Sequence, residues 1–163
     1  VAAAISMIMD DQSVKDSIER ALRLIPADSW TFRATYRAID IAEKSTNTRE
    51  AISSLYNSLA CTYYPWPDLA PEAVALACGI AIASKGNFTD AVLAGANIGR
   101  DADTIAAIAG SFIGAEKGIG TIPSRWIERV RTAKGSCIVS TAGIDVMEIS
   151  QKLSDVVTSR RSG

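Results

Sequence analysis

No stretch of this sequence alternates apolar and polar residues for long enough to line one face of a sheet, whereas apolar residues return at helical spacing in run after run. That pattern restricts the chain to an all-α fold, because a period near 3.6 places apolar groups on one stripe of a helix but on both faces of a strand. Residues 2–9 read as the end of a helix, beginning in mid-pattern at Val1 without a start Met or a cap, as though cut into. Ser13 is a good N-cap, with Asp16 in the first turn, for a helix to about Leu24. Pro26 breaks it, and Ser29 caps a second helix through Trp30, Tyr36, Ile39 and Ile41. Thr48 with Glu50 begins a third, reaching Ala60. Pro71, at a favoured N1 position, opens a hydrophobic helix to about Ser84, and Asn87 or Thr89 caps another over 90–96. Further helices are expected over 104–117, from Pro123 through Trp126 to Val130, and over 145–157 as an amphipathic closing helix. Residues 134–143 have no clear reading, and 159–163 read as frayed. Helices this short and unevenly spaced do not suit a four-helix bundle; they fit one compact, irregularly crossed helical domain over 1–163.

Composition narrows the function. The chain has 163 residues, 48% hydrophobic and 21% charged, the balance of a soluble globular domain with room for a core. Net charge is −1 and the basic residues are scattered, the tightest group being Arg160-Arg161, so no nucleic-acid partner is expected. The longest apolar run, 73–83, is well short of the roughly 18 residues that suggest a membrane span, and no basic segment precedes the N-terminal apolar stretch. Cys61, Cys78 and Cys137 are far apart and odd in number, which reads as free thiols in a reducing cytoplasm, with Cys78 in the core. There is no histidine. A Ser-His-Asp or Cys-His nucleophile and an HExxH or Cys/His zinc site are therefore excluded, and chemistry must rest on carboxylates, hydroxyls or a hard cation held by oxygen.

The segment suited to such a cation is Asn97-Ile98-Gly99-Arg100-Asp101-Ala102-Asp103-Thr104. Carboxylates at i and i+2 diverge on a continuous helix but converge in a turn that enters one. With the Thr104 hydroxyl they form an oxygen set suited to Mg²⁺, Mn²⁺ or Ca²⁺; an EF-hand is excluded because the remaining loop ligands are missing. The plainer reading of the same residues is an N-cap and a favourable dipole partner. Gly110, Gly114 and Gly118 recur every four residues and read as a packing stripe rather than a dinucleotide fingerprint. In the loop 62–68, Tyr63, Tyr64 and Trp66 read as a proline–aromatic plug over the core, the alternative being a stacking surface for a base or sugar. Glu72 and Asp90 read as dipole partners, and Glu116 and Arg125 as solvated or surface-paired charges.

In order along the chain stand Asp90-Ala91-Val92, Asn97, Gly99, Asp101, Asp103, Thr104, Gly110, Gly114-Ala115, Gly118, Ile122-Pro123 and Trp126. This ordered set over 88–129 resembles the C-terminal half of the ADP-ribosylglycohydrolase family, and 25–29 and the closing helix are also similar to it. The resemblance implies an irregular all-α domain with a binuclear magnesium or manganese site. It implies that Asp101, Asp103 and Thr104 are metal ligands; Asn97, Gly99, Arg100 and Tyr64 are the candidate substrate contacts beside them. The implied activity is hydrolysis of the bond between ADP-ribose and its acceptor, an ADP-ribosylated protein or an ADP-ribosyl small molecule. No residue stands out as the catalytic acid or base.

Two departures qualify that expectation. The family's N-terminal half carries a Thr-Asp-Asp type cluster that supplies the remaining ligands, whereas Asp10-Asp11 here lacks the preceding threonine. Arg100 takes a position often held by a small residue, where it either contacts phosphate or points into solvent. The chain is thus expected to be the C-terminal part of a larger domain, with an incomplete site that a missing N-terminal half would complete. The alternatives are a non-catalytic structural relative, as in crystallins that resemble the family, or a phosphate-binding module built on Arg100 and a helix N-terminus.

Overall fold

A computed structural model describes residues 1–161, with side chains described through Ser159. The elements are α1 (Ala2–Ile8), α2 (Val14–Leu22), α3 (Trp30–Lys44), α4 (Thr48–Leu59), α5 (Ala70–Ala83), α6 (Phe88–Asn97), α7 (Ala102–Lys117), α8 (Ser124–Val130) and α9 (Val146–Arg161). Single 3-10 turns occupy Ile119–Thr121 and Val139–Thr141, and no strand forms among the described residues. The all-α expectation holds. The chain divides into two compact units, one ending at Thr121 and the other beginning at Ile122.

Most helix starts in the first unit are where a capping side chain puts them. Ser13, Ser29, Asn47 and Asn87 each accept the backbone N–H three residues on, at 3.0–3.2 Å. Asn87 is therefore the cap of α6 rather than Thr89, and Asn47 that of α4. Thr48, already helical, donates its hydroxyl to the Ala83 carbonyl at 3.3 Å.

The core forms around α5, where Ala73, Ala75, Leu76, Ala77, Cys78, Ile80, Ala81 and Ala83 are all buried. A helix apolar on every side must be covered on every side, and α2, α3, α4, α6 and α7 all pack on it. Its alanines keep the covering helices close. The tightest approach is between α6 and α7, where a methyl built on Gly95 would lie 2.5 Å from Ala106 Cα. Gly110 of the expected stripe does admit Val92, since its added methyl would meet that side chain at 2.9 Å. Gly114 has only ordinary clearance, 3.8 Å to Phe88. Gly118 is not part of a packing stripe: it ends α7 with φ +72 and no neighbour within 4 Å of its added methyl, as a C-terminal glycine does.

In the second unit, residues 134–143 close a loop pinned by a bridge between Thr132 and Asp145. Asp145 accepts the Met147 N–H at 2.8 Å and so starts α9, while its other oxygen takes Arg131 Nε at 2.7 Å. α9 continues past Val157 through Arg161, so the expected fraying does not begin at Ser159; residues 162–163 lie outside the described residues. No helix of the described residues is long and apolar enough to cross a membrane.

Candidate metal centre

The acidic segment lies in the turn from α6 to α7. Gly99 and Arg100 have φ of +85 and +58, two consecutive left-handed residues that reverse the chain. Only Gly adopts this freely; at Arg100 it costs about 1–2 kcal/mol. Asp101 sits at the N-cap position of α7, with its carbonyl accepting from Ile105 N–H at 2.9 Å, but its side chain accepts no backbone N–H. The carboxylate is thus not the cap that its position suggests. Asp103 follows in the first turn and is exposed; Asp101 and Thr104 are half-buried. The side chains of Asp101, Asp103 and Thr104 form no hydrogen bond or ion pair with other described residues.

What holds the turn is Arg100, and it is held from below. Glu72, on the first turn of α5, is 1% exposed. One carboxylate oxygen accepts Arg100 Nε at 2.6 Å and the other accepts Cys61 N–H at 2.6 Å. The Arg100 fork continues outward, Nη1 donating to the Tyr64 carbonyl at 3.2 Å and Nη2 to the Trp66 carbonyl at 3.1 Å. Burial of a carboxylate is tolerated because a cation and an amide both meet it. Glu72 lies in the first turn of α5, where a dipole partner is expected, and is a buried anchor as well. Arg100 is likewise turned inward rather than into solvent. Glu72 holds the Arg100 guanidinium above its ordinary pKa through this hydrogen bond. Burial is the main reason the Cys61 thiol is pushed up, and the neighbouring Cys61 thiol in turn pushes the Tyr63 phenol up.

The aromatic loop does not plug the core. Tyr63 is 84% exposed, Trp66 65% and Tyr64 37%, while their backbone is strapped by Arg100 to the residue that precedes Asp101. An aromatic surface and an acidic turn are thus attached to the same guanidinium. Gly99 has Tyr56 as its nearest neighbour, 3.9 Å from an added methyl, so its glycine answers to conformation rather than crowding. Asn97 folds back, Nδ2 donating to the Leu93 carbonyl at 2.6 Å. It also lines a polar cleft of about 710 Å³ with Asn47, Arg49, Lys85 and Asp90. Asp101, Asp103 and Thr104 do not line that cleft. Glu116, as expected, is surface-paired, with Lys117 at 3.1 Å, and it also accepts the Val14 N–H at 3.2 Å.

The donors present fit a hard divalent cation. They are oxygens only, and they make no hydrogen bond or ion pair with other described residues, while the positive end of α7 favours the ionised carboxylates. Their number falls short of the six that Mg²⁺ prefers, and no third Asp, Glu or Cys joins Asp101 and Asp103 among the described residues. Sequence spacing gave no sign of Glu72, 28 positions from Arg100; a carboxylate at a helix start beside Pro71 looks the same whether buried or exposed.

These residues define an irregular all-α unit that carries an acidic turn at a helix N-terminus, strapped to an exposed aromatic loop. Residues 1–161 match the ADP-ribosylglycohydrolase family, and the chain belongs to it. It is 44% identical over 50 residues to the ADP-ribosylarginine hydrolase Tri1 of Pseudomonas putida (strain GB-1), a stretch that is 31% of this chain and 14% of that protein. To the ADP-ribosylarginine hydrolase Tri1 of Serratia proteamaculans (strain 568) it is 42% identical over 50 residues, with the same coverage. The match therefore spans about a seventh of the length of these relatives. No solved structure matches the chain.

Proposed function

We propose that this chain contributes the acidic C-terminal half of a metal-dependent hydrolase site that cleaves the glycosidic bond between ADP-ribose and its acceptor. The observation that carries it is the Asp101-x-Asp103-Thr104 turn. A helix start normally uses such a side chain as its cap, yet here both carboxylates and the hydroxyl are left uncommitted on a backbone held fixed from beneath. Asp101, Asp103 and Thr104 would hold Mg²⁺ or Mn²⁺ together with ligands from outside this set. When bound, the cations supply charge stabilisation and orientation for a ribose diol and an attacking water. Tyr64, with Tyr63 and Trp66, offers faces on which an adenine can stack, and Gly99 leaves room beside the turn. Asn97 stands one turn before it, on the rim of the polar cleft. Arginine as the acceptor is favoured by the names of the two similar hydrolases.

Asp103→Ala tests the reading. Because Asp103 is exposed and makes no bond with other described residues, its loss from the enzyme that contains this chain should leave the melting temperature nearly unchanged while abolishing release of ADP-ribose from an ADP-ribosylarginine peptide. Retained release with a large fall in melting temperature would return Asp103 to a purely helix-stabilising role. Calorimetric titration with Mn²⁺ gives the ligand count: tight binding of two ions by residues 1–163 alone would refute the need for further ligands.

A further inference from the structure

We propose that Arg100 is a positioning residue that keeps the acidic turn and the aromatic loop in register, with Glu72 as its fixed point. The proposal rests on the proposed function for its consequence, but its geometry stands independently. Three independent segments end on one guanidinium: α5 through Glu72, the loop through the Tyr64 and Trp66 carbonyls, and the turn through the Arg100 backbone itself. The backbone at Arg100 is left-handed, φ +58, and would be relaxed with glycine, so a side chain is present there against local preference. That side chain is only 11% exposed in its pair with Glu72, and Glu72 is 1% exposed on the most deeply packed helix of the unit.

The shape of the group matters as much as its charge. A planar fork can address a carboxylate and two carbonyls at once, which a single ammonium cannot. Three of the five N–H donors of Arg100 are spent on Glu72, Tyr64 and Trp66, so the role of this residue is one of placement. It acts by fixing how far Asp101 and Asp103 stand from the faces of Tyr64 and Trp66. A ligand that bridges a metal-held diol and a stacked base needs that spacing preset, since small misplacements of a binding group are costly.

Hydrogen–deuterium exchange by mass spectrometry on the full chain tests this directly. Arg100→Ala should speed amide exchange at least tenfold in two segments together, 61–68 and 99–105, while α1, α2 and α3 keep wild-type rates. Arg100→Lys should restore the turn through its pair with Glu72 but leave the loop fast. Glu72→Gln, which keeps an oxygen for Cys61 N–H and loses the ion pair, should loosen both segments.

A uniform rise across all helices after Arg100→Ala would show a merely structural role and overturn the proposal. Wild-type rates in either segment would do the same, as would full rescue of both by lysine, since one charge would then suffice. Mn²⁺ titration followed by electron paramagnetic resonance adds the link to the site: the dissociation constant should rise about tenfold in Arg100→Ala. If the wild-type chain takes up no Mn²⁺, its own oxygens do not suffice to hold the cation, and the exchange result still decides the role of Arg100.

Discussion

Gly95→Ala and Gly114→Ala add the same methyl group to adjacent helices and are expected to move stability in opposite directions. On α6, the new Cβ at position 95 would stand 2.5 Å from Ala106 Cα and 2.7 Å from its backbone nitrogen. Carbon atoms in contact prefer about 3.5–4.0 Å, so α6 and α7 would have to part by about 1 Å. The obstacle is backbone, which cannot swing aside like a side-chain tip, and overpacking of this kind costs about 1–3 kcal/mol. The alanine returns about 1 kcal/mol of helix propensity, leaving a net loss of about 2 kcal/mol when the cost lies near its upper end.

At Gly114 the nearest atom is Phe88 Cε2 at 3.8 Å, an ordinary contact, so the propensity gain of about 1 kcal/mol is nearly all that remains. With about 2–4 °C per kcal/mol for a chain of this size, Gly95→Ala should melt about 4–8 °C lower and Gly114→Ala about 2–4 °C higher. Thermal unfolding followed by circular dichroism at 222 nm decides it. Shifts of the same sign, or a Gly95→Ala change within error of wild type, would refute the claim that the two helix backbones touch there.

Two further predictions concern titration and thiol access. The Arg131 hydrogen bond holds the Asp145 carboxyl below the ordinary value of 3.8, so its contribution to stability is complete above pH about 4 and is lost as pH falls through the lowered folded value. Nuclear magnetic resonance shifts of the Met147 and Glu148 amides should titrate with a midpoint below 3.8 and become flat in Asp145→Asn, which keeps the helix cap; a midpoint at or above 3.8 would contradict the pairing. Iodoacetamide at pH 8 should label the native chain at Cys137 alone, because Cys137 is exposed, Cys61 is buried with its pKa raised, and Cys78 is pushed up to about 12 by burial. Equal labelling at all three positions in the folded chain would overturn the burial of Cys61 and Cys78.

What could be read from the sequence follows the reach of each interaction. Ser13 and Ser29 cap residues three positions away, so those helix starts were visible locally, and the apolar surround of α5 made its burial evident. The acidic turn stood out through its ordered neighbours rather than through spacing, which alone favoured a cap. Contacts across the fold left no such trace. Glu72 meets Arg100 across 28 positions, and Gly95 meets Ala106 across a turn whose geometry depends on two left-handed residues. Gly118 kept the four-residue spacing of a stripe by coincidence of the helix ending there. Proline and aromatics suit both buried and exposed positions, so the make-up of the loop 62–68 does not tell a plug from the exposed surface found.

The start of α7 is a place where local preferences were left in conflict. A left-handed arginine, an N-cap carboxylate that caps no backbone N–H and a second carboxylate unpaired among the described residues concentrate frustration in a few consecutive positions of an otherwise self-consistent fold. Such a spot lowers the stability of the empty chain and sharpens its response to occupancy. Whatever binds the folded turn and not the unfolded chain raises the melting temperature in step with the logarithm of its concentration, and a hundredfold excess over its dissociation constant adds about 2.7 kcal/mol. The melting curve of this domain is therefore a gauge of occupancy at the turn, readable before any substrate is known.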